Sequence, residues 1–189
     1  ITLLTDRLFV VATKLKNTYW NSPKNFFKYG LYDKSGKRLF PCEYDEIKLV
    51  TDNLVKLYNG YQYLIFRISD QQILKQSYSF IGQPDKEGNI KVQGNNTEGY
   101  INSAGEPIYT DIETFDDRTV KICFLGKYGL KSSDGTLVID CGLNDIRYLK
   151  RGVYAIKTGN EWGEKNQKGE LLLACMYTSI EAVSDILLK

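Results

Sequence analysis

Two columns of residues keep one period along this chain. Ile47, Ile81, Ile112, Ile146 and Ile180 follow one another at steps of 34, 31, 34 and 34 residues. Three residues before each stands Tyr44, Tyr78, Tyr109, Leu143 or Tyr177. Seventeen residues before Ile47, Ile146 and Ile180 stand Gly30, Gly129 and Gly163. Each of these glycines follows an aromatic residue, Tyr29, Tyr128 or Trp162, and precedes a turn glycine, Gly36, Gly135 or Gly169, by six residues. Glu98-Gly99 leads to Gly105 at the same offset, with its aromatic displaced to Tyr100, and one degenerate unit has Tyr63-Leu64 in place of the pair. Such a period constrains the fold more than any other feature. A unit of this size cannot bury its apolar face alone, so its neighbours must stack on it. The units run 1–46, 47–80, 81–111, 112–145 and 146–179, with a partial unit at 180–189. Ile1 to Leu8 matches Ile47 to Leu54 at five of eight positions, and the tail from Ile180 through Val183, Ser184, Asp185 and Leu187 repeats the phrase. A segment of a longer array would start and stop in phase in this way, and so would a ring that pairs its two ends.

The residue types say what each unit is made of. Five alanines stand against fourteen tyrosines and eight phenylalanines, a bias away from helix and towards strand. Leu54 to Tyr58 alternates and meets Asn59-Gly60, a hairpin signal, with Tyr61 to Phe66 returning as its partner. In the full unit Gly30 to Asp33 reads as a strand, Lys34-Ser35-Gly36 as a turn and Lys37 to Phe40 as a third strand, with Pro41 to Asp52 as a connection. The expected fold is all-β: tandem antiparallel meanders of three strands, stacked as an open array. A closed propeller-like ring is the alternative, disfavoured because its blades have four strands and about 40 residues. Glycine in the aromatic–Gly pair would let another backbone or ring approach closely, with Tyr29, Tyr63, Tyr128 and Trp162 plugging the core between units.

The phrases Lys28-Tyr29-Gly30-Leu31-Tyr32-Asp33-Lys34-Ser35-Gly36-Lys37 and Pro41-Cys42-Glu43-Tyr44-Asp45-Glu46-Ile47 resemble the WG-repeat family, also called KWG repeats. The family pattern is an aromatic–Gly, an Asp-x-x-Gly turn, an Ile-Pro and a Tyr-Asp-x-Ile. The resemblance extends over nearly the whole chain, although only the first full unit keeps the full pattern. It implies a bacterial β-repeat protein that works as a binding or scaffolding array, and it brings no catalytic residues.

The remaining composition excludes several function classes. With 25 Lys and Arg against 23 Asp and Glu, the net charge is +2, too small for a protein that binds nucleic acid by charge alone. The absence of histidine removes Ser–His and Cys–His nucleophile pairs and imidazole zinc sites. No G-x-G-x-x-G, Walker loop or EF-hand loop occurs. The apolar runs Leu8–Ala12 and Leu171–Cys175 are too short to span a bilayer, and no signal peptide is visible, so no membrane insertion is expected and the compartment stays open. No cofactor and no metal are expected, and the chain is read as a non-enzyme.

Three sets of residues are candidates for function. Cys42, Cys141 and Cys175 each lie twelve residues after their unit's glycine, with Cys123 elsewhere; the expectation is a column of small buried side chains. Asp6, Asp52, Asp117 and Asp185 share one phase, where an Asx turn is the ordinary reading and a cation-binding edge the sharper one. The third set lies where the period breaks. Ile1 to Ile47 spans 46 residues, twelve more than the standard step, and the surplus falls in Lys14–Phe27. That insertion holds Tyr19, Trp20, Phe26 and Phe27 with Lys14, Lys16 and Lys24, and no acid. Insertions in repeat arrays map to loops on binding faces. Aromatic anchors beside cations suit a protein partner, with glycan or single-stranded nucleic acid as the runner-up and a passive spacer in a longer multidomain protein as the third reading. The bland reading is a long hairpin folded back on the end of the array.

Overall fold

Alternating apolar residues between turn glycines produce strands throughout. The structure, a computed structural model, describes residues 1–14, 27–150 and 152–181. Among these residues there is no helix, hence none long and apolar enough to cross a membrane. The first sheet contains β1 (Thr2–Thr5), β2 (Leu8–Lys14), β3 (Phe27–Asp33) and β4 (Arg38–Tyr44). The second contains β5 (Glu46–Thr51), β6 (Leu54–Tyr58), β7 (Tyr63–Arg67) and β8 (Gln72–Ile73). In the third lie β9 (Phe80–Pro84), β10 (Ile90–Gly94), β11 (Thr97–Ile101) and β12 (Pro107–Ile108). The fourth holds β13 (Thr110–Thr114), β14 (Val120–Phe124), β15 (Lys127–Lys131) and β16 (Leu137–Leu143). The fifth holds β17 (Asp145–Lys150), β18 (Val153–Thr158), β19 (Glu161–Asn166) and β20 (Leu171–Tyr177). Each sheet is an antiparallel meander with its strands in chain order, and none closes into a barrel.

The chain is thus all-β, but each unit has four strands where three were expected. Pro41–Tyr44 does not leave the sheet. It prolongs β4, which bulges between the Leu31↔Phe40 and Tyr29↔Tyr44 pairs. A bulged edge strand accommodates Pro41, which no central strand would. Glu46–Thr51, read as part of a connection, is the first strand of the next sheet. A propeller blade also has four strands, so the argument from strand number against a ring falls.

The aromatic of the aromatic–Gly pair meets the column of Tyr44, Tyr78, Leu143 and Tyr177 in space. Tyr29 lies opposite Tyr44, Tyr63 opposite Tyr78, Tyr128 opposite Leu143 and Trp162 opposite Tyr177. Ile47, Ile81 and Ile146 each occupy the second position of a first strand and are buried, whereas Ile112 on β13 is 49% exposed. The chain divides into two units, Ile1–Pro107 and Ile108–Lys189, each with its own apolar core. In the first unit Val10 and Leu31 pack with Ile47, Val55, Leu57 and Phe66, and Phe40 meets Phe66 edge-on at 5.0 Å between centroids. In the second, Leu130 and Ile139 of the fourth sheet pack with Ile146, Tyr154 and Ile156 of the fifth. Fully burying one such side chain contributes about 1.5–3 kcal/mol.

Turn chemistry recurs with the same period. At Asp33–Gly36 the Asp33 carboxylate accepts from the N–H groups of Ser35 and Lys37, and Gly36 takes φ +84°. Asn102 and Asn166 do the same work before Gly105 and Gly169. Gly94-Asn95-Asn96 makes a hairpin turn between β10 and β11, with both asparagines at positive φ.

Candidate functional site

The aromatic–Gly pair builds a recurring constellation across three strands. A Cβ on Gly129 would lie 2.5 Å from the Ile139 carbonyl oxygen, and one on Gly163 2.5 Å from that of Leu173. At Gly30 it would sit 2.9 Å from both Cys42 Sγ and the Phe40 carbonyl oxygen. The bulged fourth strand therefore rests on the glycine itself. Over the gap so left, Cys42 donates to the Val11 carbonyl at 3.6 Å, Cys141 to Ile122 and Cys175 to Ile156, both at 3.9 Å. Val11, Ile122 and Ile156 are the residues opposite Gly30, Gly129 and Gly163. The cysteines are thus half-buried rather than buried, each reaching across a strand that carries no side chain there. Burial, with the Cys123 thiol nearby, pushes Cys141 up to about 12, so it stays a thiol at neutral pH.

The aromatic of the pair plugs the core only at Trp162; Tyr29 and Tyr128 pack against the edges of the two cores. Tyr29, Tyr63 and Tyr128 are half-buried and only Trp162 is buried. Cations cover three of them. Lys56 Nζ lies 5.2 Å from the Tyr63 ring centroid, Lys121 Nζ 4.4 Å from Tyr128, and Arg147 and Lys157 flank Trp162 at 4.3 and 5.5 Å. Three of these cations, Lys56, Lys121 and Arg147, also lie within 4 Å of a carboxylate. Lys121 Nζ donates to Asp145 Oδ1 at 2.6 Å, joining the fourth sheet to the fifth, and Lys56 lies 3.5 Å from Glu46 Oε1. Replacing Lys121 by Met leaves Asp145 with Arg147 at 3.4 Å and the Ile146 N–H. The expected loss is about 1–2 kcal/mol, between the surface and fully buried limits for ion pairs. A double-mutant cycle with Asp145→Asn should give a coupling of about 1 kcal/mol, and no coupling would remove the ion pair from this joint.

The aspartate column does not gather at one edge. Asp6 and Asp52 line the same groove, about 650 Å3 in volume, between the first and second sheets. Asp33, Arg7 and Lys34 share its walls, so the groove carries both signs. The turns there are held by threonines instead. Thr5 Oγ1 accepts from the Arg7 N–H, and Thr51 Oγ1 from those of Asn53 and Leu54. Of the described members of this column only Asp117 makes the Asx turn, accepting from the Thr119 N–H and hydroxyl. Its other oxygen accepts from the Gly152 N–H and from the hydroxyl of Tyr154, a fully buried side chain. Asp185 lies outside the described residues. Among the described residues no three His, Cys, Asp or Glu side chains are grouped to hold a metal ion.

The basic–aromatic insertion begins and ends at the tip of one hairpin. β2 and β3 pair through to Lys14↔Phe27, the residues on either side of 15–26 in the chain. Phe27 is 40% exposed. Lys28 next to it is engaged by Asp45 at 2.7 Å, and a second groove of about 400 Å3, lined by Tyr29, Asp45 and Lys48 among others, opens between the first and second sheets. Lys16, Tyr19, Trp20, Lys24 and Phe26 lie outside the described residues. Sequence reasoning missed the cation–aromatic contacts and the Asp117–Tyr154 bond. The lysine before the residue opposite the pair, as at Lys56 and Lys121, was the available signal.

Residues 29–57 and 128–162 match the family described as WG containing repeat. No curated protein matches the chain. Among solved structures the chain is similar to Hsv2 of Kluyveromyces lactis, at 12% identity over 77% of this chain and 60% of that one, with a TM-score of 0.25. It is also similar to Hsv2 of Kluyveromyces marxianus, at 13% identity over 79% of this chain and 58% of that one, with a TM-score of 0.28. The chain spans about 60% of the length of the first of these structures.

Proposed function

We propose that this chain, two stretches of which match the WG containing repeat, is a non-enzymatic module that presents a surface to a protein partner. The observation that carries the reading is the hairpin of β2 and β3. Its paired strands end at Lys14 and Phe27, and the intervening segment concentrates aromatic and basic residues without an acid. Tyr19, Trp20, Phe26 and Phe27 are the anchors, and Lys16 and Lys24 steer an acidic or polar partner surface towards them. Large aromatics at the centre of a contact supply most of the affinity in protein interfaces, while cations at the rim set the approach. The net charge of +2 argues for protein over nucleic acid.

The test compares the chain with a variant carrying Trp20→Ala, Phe26→Ala and Phe27→Ala as baits in lysate of the source organism. The expected result is a protein retained by the parent chain and lost by at least about tenfold with the variant, at unchanged β-sheet circular dichroism. Retention of nucleic acid that weakens steeply with salt, or of a glycan, would replace the protein reading. Equal retention by both baits would move the surface elsewhere.

A further inference from the structure

Asn59 is the only asparagine in the sequence that glycine follows. It opens the loop between β6 and β7, beyond the Tyr58↔Tyr63 pair, where Gly60 takes φ +94° and Tyr61 is 92% exposed. The Asn59 carboxamide is folded back over this loop. Its Oδ1 accepts from the N–H groups of Tyr61 at 3.1 Å and Gln62 at 3.0 Å. Asn102 and Asn166 hold their own loops in a similar cradle, each Oδ1 accepting from two backbone N–H groups. Two differences set Asn59 apart. Ser103 and Gln167 follow the other two, so a side chain stands beside the next amide nitrogen there. The carboxamide nitrogens of those two are also tied, Asn102 Nδ2 donating to Glu106 at 3.0 Å and Asn166 Nδ2 to Glu170 at 2.6 Å. Among the described residues Asn59 Nδ2 has no such acceptor, and neither has the Gly60 N–H.

We infer that Asn59 is a site of self-modification, at which the folded chain deamidates through a ring closed by Gly60. Hydroxide from solvent takes the Gly60 N–H proton, and the nitrogen forms a bond to Asn59 Cγ. The bond from Cγ to Nδ2 breaks, and that nitrogen leaves as ammonia after taking a proton from water. The product is a succinimide. Water then adds to one of the ring carbonyl carbons and the C–N bond there breaks, leaving aspartate or isoaspartate at position 59. No group is oxidised or reduced; one water enters overall and one ammonia leaves. Negative charge gathers on Oδ1 as the ring closes, and the Tyr61 and Gln62 N–H groups already point at that oxygen. The turn therefore need not open for the reaction. Gly60 brings an attacking nitrogen with no side chain to hinder its approach. The product changes the surface. One negative charge added to the net +2 leaves +1. It arrives at a loop that already meets Asp45, whose Oδ2 would lie 3.0 Å from a Cβ on Gly60 and which pairs with Lys28 at 2.7 Å. The inference uses none of the residues of the Lys14–Phe27 insertion and stands apart from the partner reading.

Peptide mapping by mass spectrometry, after incubation of the folded chain over a pH series, tests it. Asn59 is expected to convert to both aspartyl and isoaspartyl products at a rate that rises with pH. That rate should exceed those at Asn102 and Asn166 by about tenfold or more. A second variant carries both differences to the third sheet, with Ser103→Gly and Glu106→Ala, and circular dichroism checks its fold. It is expected to raise the rate at Asn102 by about tenfold or more, and it leaves the loop at Asn59 untouched. An Asn59 amide that stays intact in the folded chain while the urea-unfolded chain deamidates overturns the inference, because the turn would then protect the residue. So does equal conversion at the three asparagines, and so does an unchanged rate at Asn102 in the second variant.

Discussion

Replacing Gly129 by alanine is expected to destabilise the unit Ile108–Lys189 by about 3 kcal/mol, at the upper end of ordinary overpacking. The added methyl would sit 2.5 Å from the Ile139 carbonyl oxygen and 2.9 Å from Cys141 N, both backbone atoms. No rotamer change relieves such a contact. Either β16 separates from β15, losing ladder hydrogen bonds, or β15 bends and the buried Leu130 shifts in the core. Gly142 supplies the control: nothing lies within 4 Å of a Cβ there, so Gly142→Ala should change stability by less than about 0.5 kcal/mol. The protein has two tryptophans, so in a Trp20→Phe background the fluorescence of Trp162, held under Arg147, reports urea unfolding of this unit. Equal midpoints for the two alanine variants would refute the steric account of the aromatic–Gly pair.

Removing the Tyr154 hydroxyl is the second substitution of large expected effect. Tyr154→Phe takes a charge-assisted donor from Asp117 and a hydroxyl contact from Thr119, at about 2 kcal/mol near neutral pH. The same site predicts a pH dependence. Burial raises the Asp117 pKa, but hydrogen bonds from Thr119, Tyr154 and the Thr119 and Gly152 N–H groups outweigh it, leaving the group below its ordinary 3.8. A carboxylate depressed by folding contributes stability that is fully present above its unfolded value and is lost as the pH falls through the folded one. The contribution is therefore intact above about pH 4 and fades below it. Urea midpoints measured from pH 6 downwards should fall less steeply for Asp117→Asn than for the parent chain. An identical slope would mean that Asp117 does not titrate with unfolding.

The elements legible from sequence are those whose backbone geometry leaves a fixed mark. The turn at Asp33–Gly36 was readable because a short acceptor and a residue at positive φ are both required there. The glycine at Gly30 was readable as a place of close approach, though what approaches it was not. The bulge that lowers Phe40 and Cys42 onto it disturbs the alternation a strand would show, so the end of β4 was read as a connection. β5 was hidden for a related reason. A single residue, Asp45, separates it from β4, and no glycine marks the change of sheet. The contacts of Lys121 with Asp145, and of Tyr154 with Asp117, link residues 24 and 37 positions apart, distances that no local pattern signals. Of the insertion, sequence located the site of interruption, and the Lys14↔Phe27 pair places that interruption at the end of a hairpin.

The five sheets also show which combinations of glycine and outer strand the repeat tolerates. Three combine the glycine with a seven-residue fourth strand: Gly30 with β4, Gly129 with β16 and Gly163 with β20. The third sheet keeps Gly99 although β12 has shrunk to two residues, and the second has both a two-residue β8 and a leucine, Leu64, at the glycine's place. The remaining combination, a bulky residue beneath a full-length bulged strand, is the one that the 2.5 Å contacts forbid. A residue larger than glycine at this place therefore requires a short outer strand, as the second sheet has, whereas a short outer strand makes no demand on the glycine, as the third sheet shows.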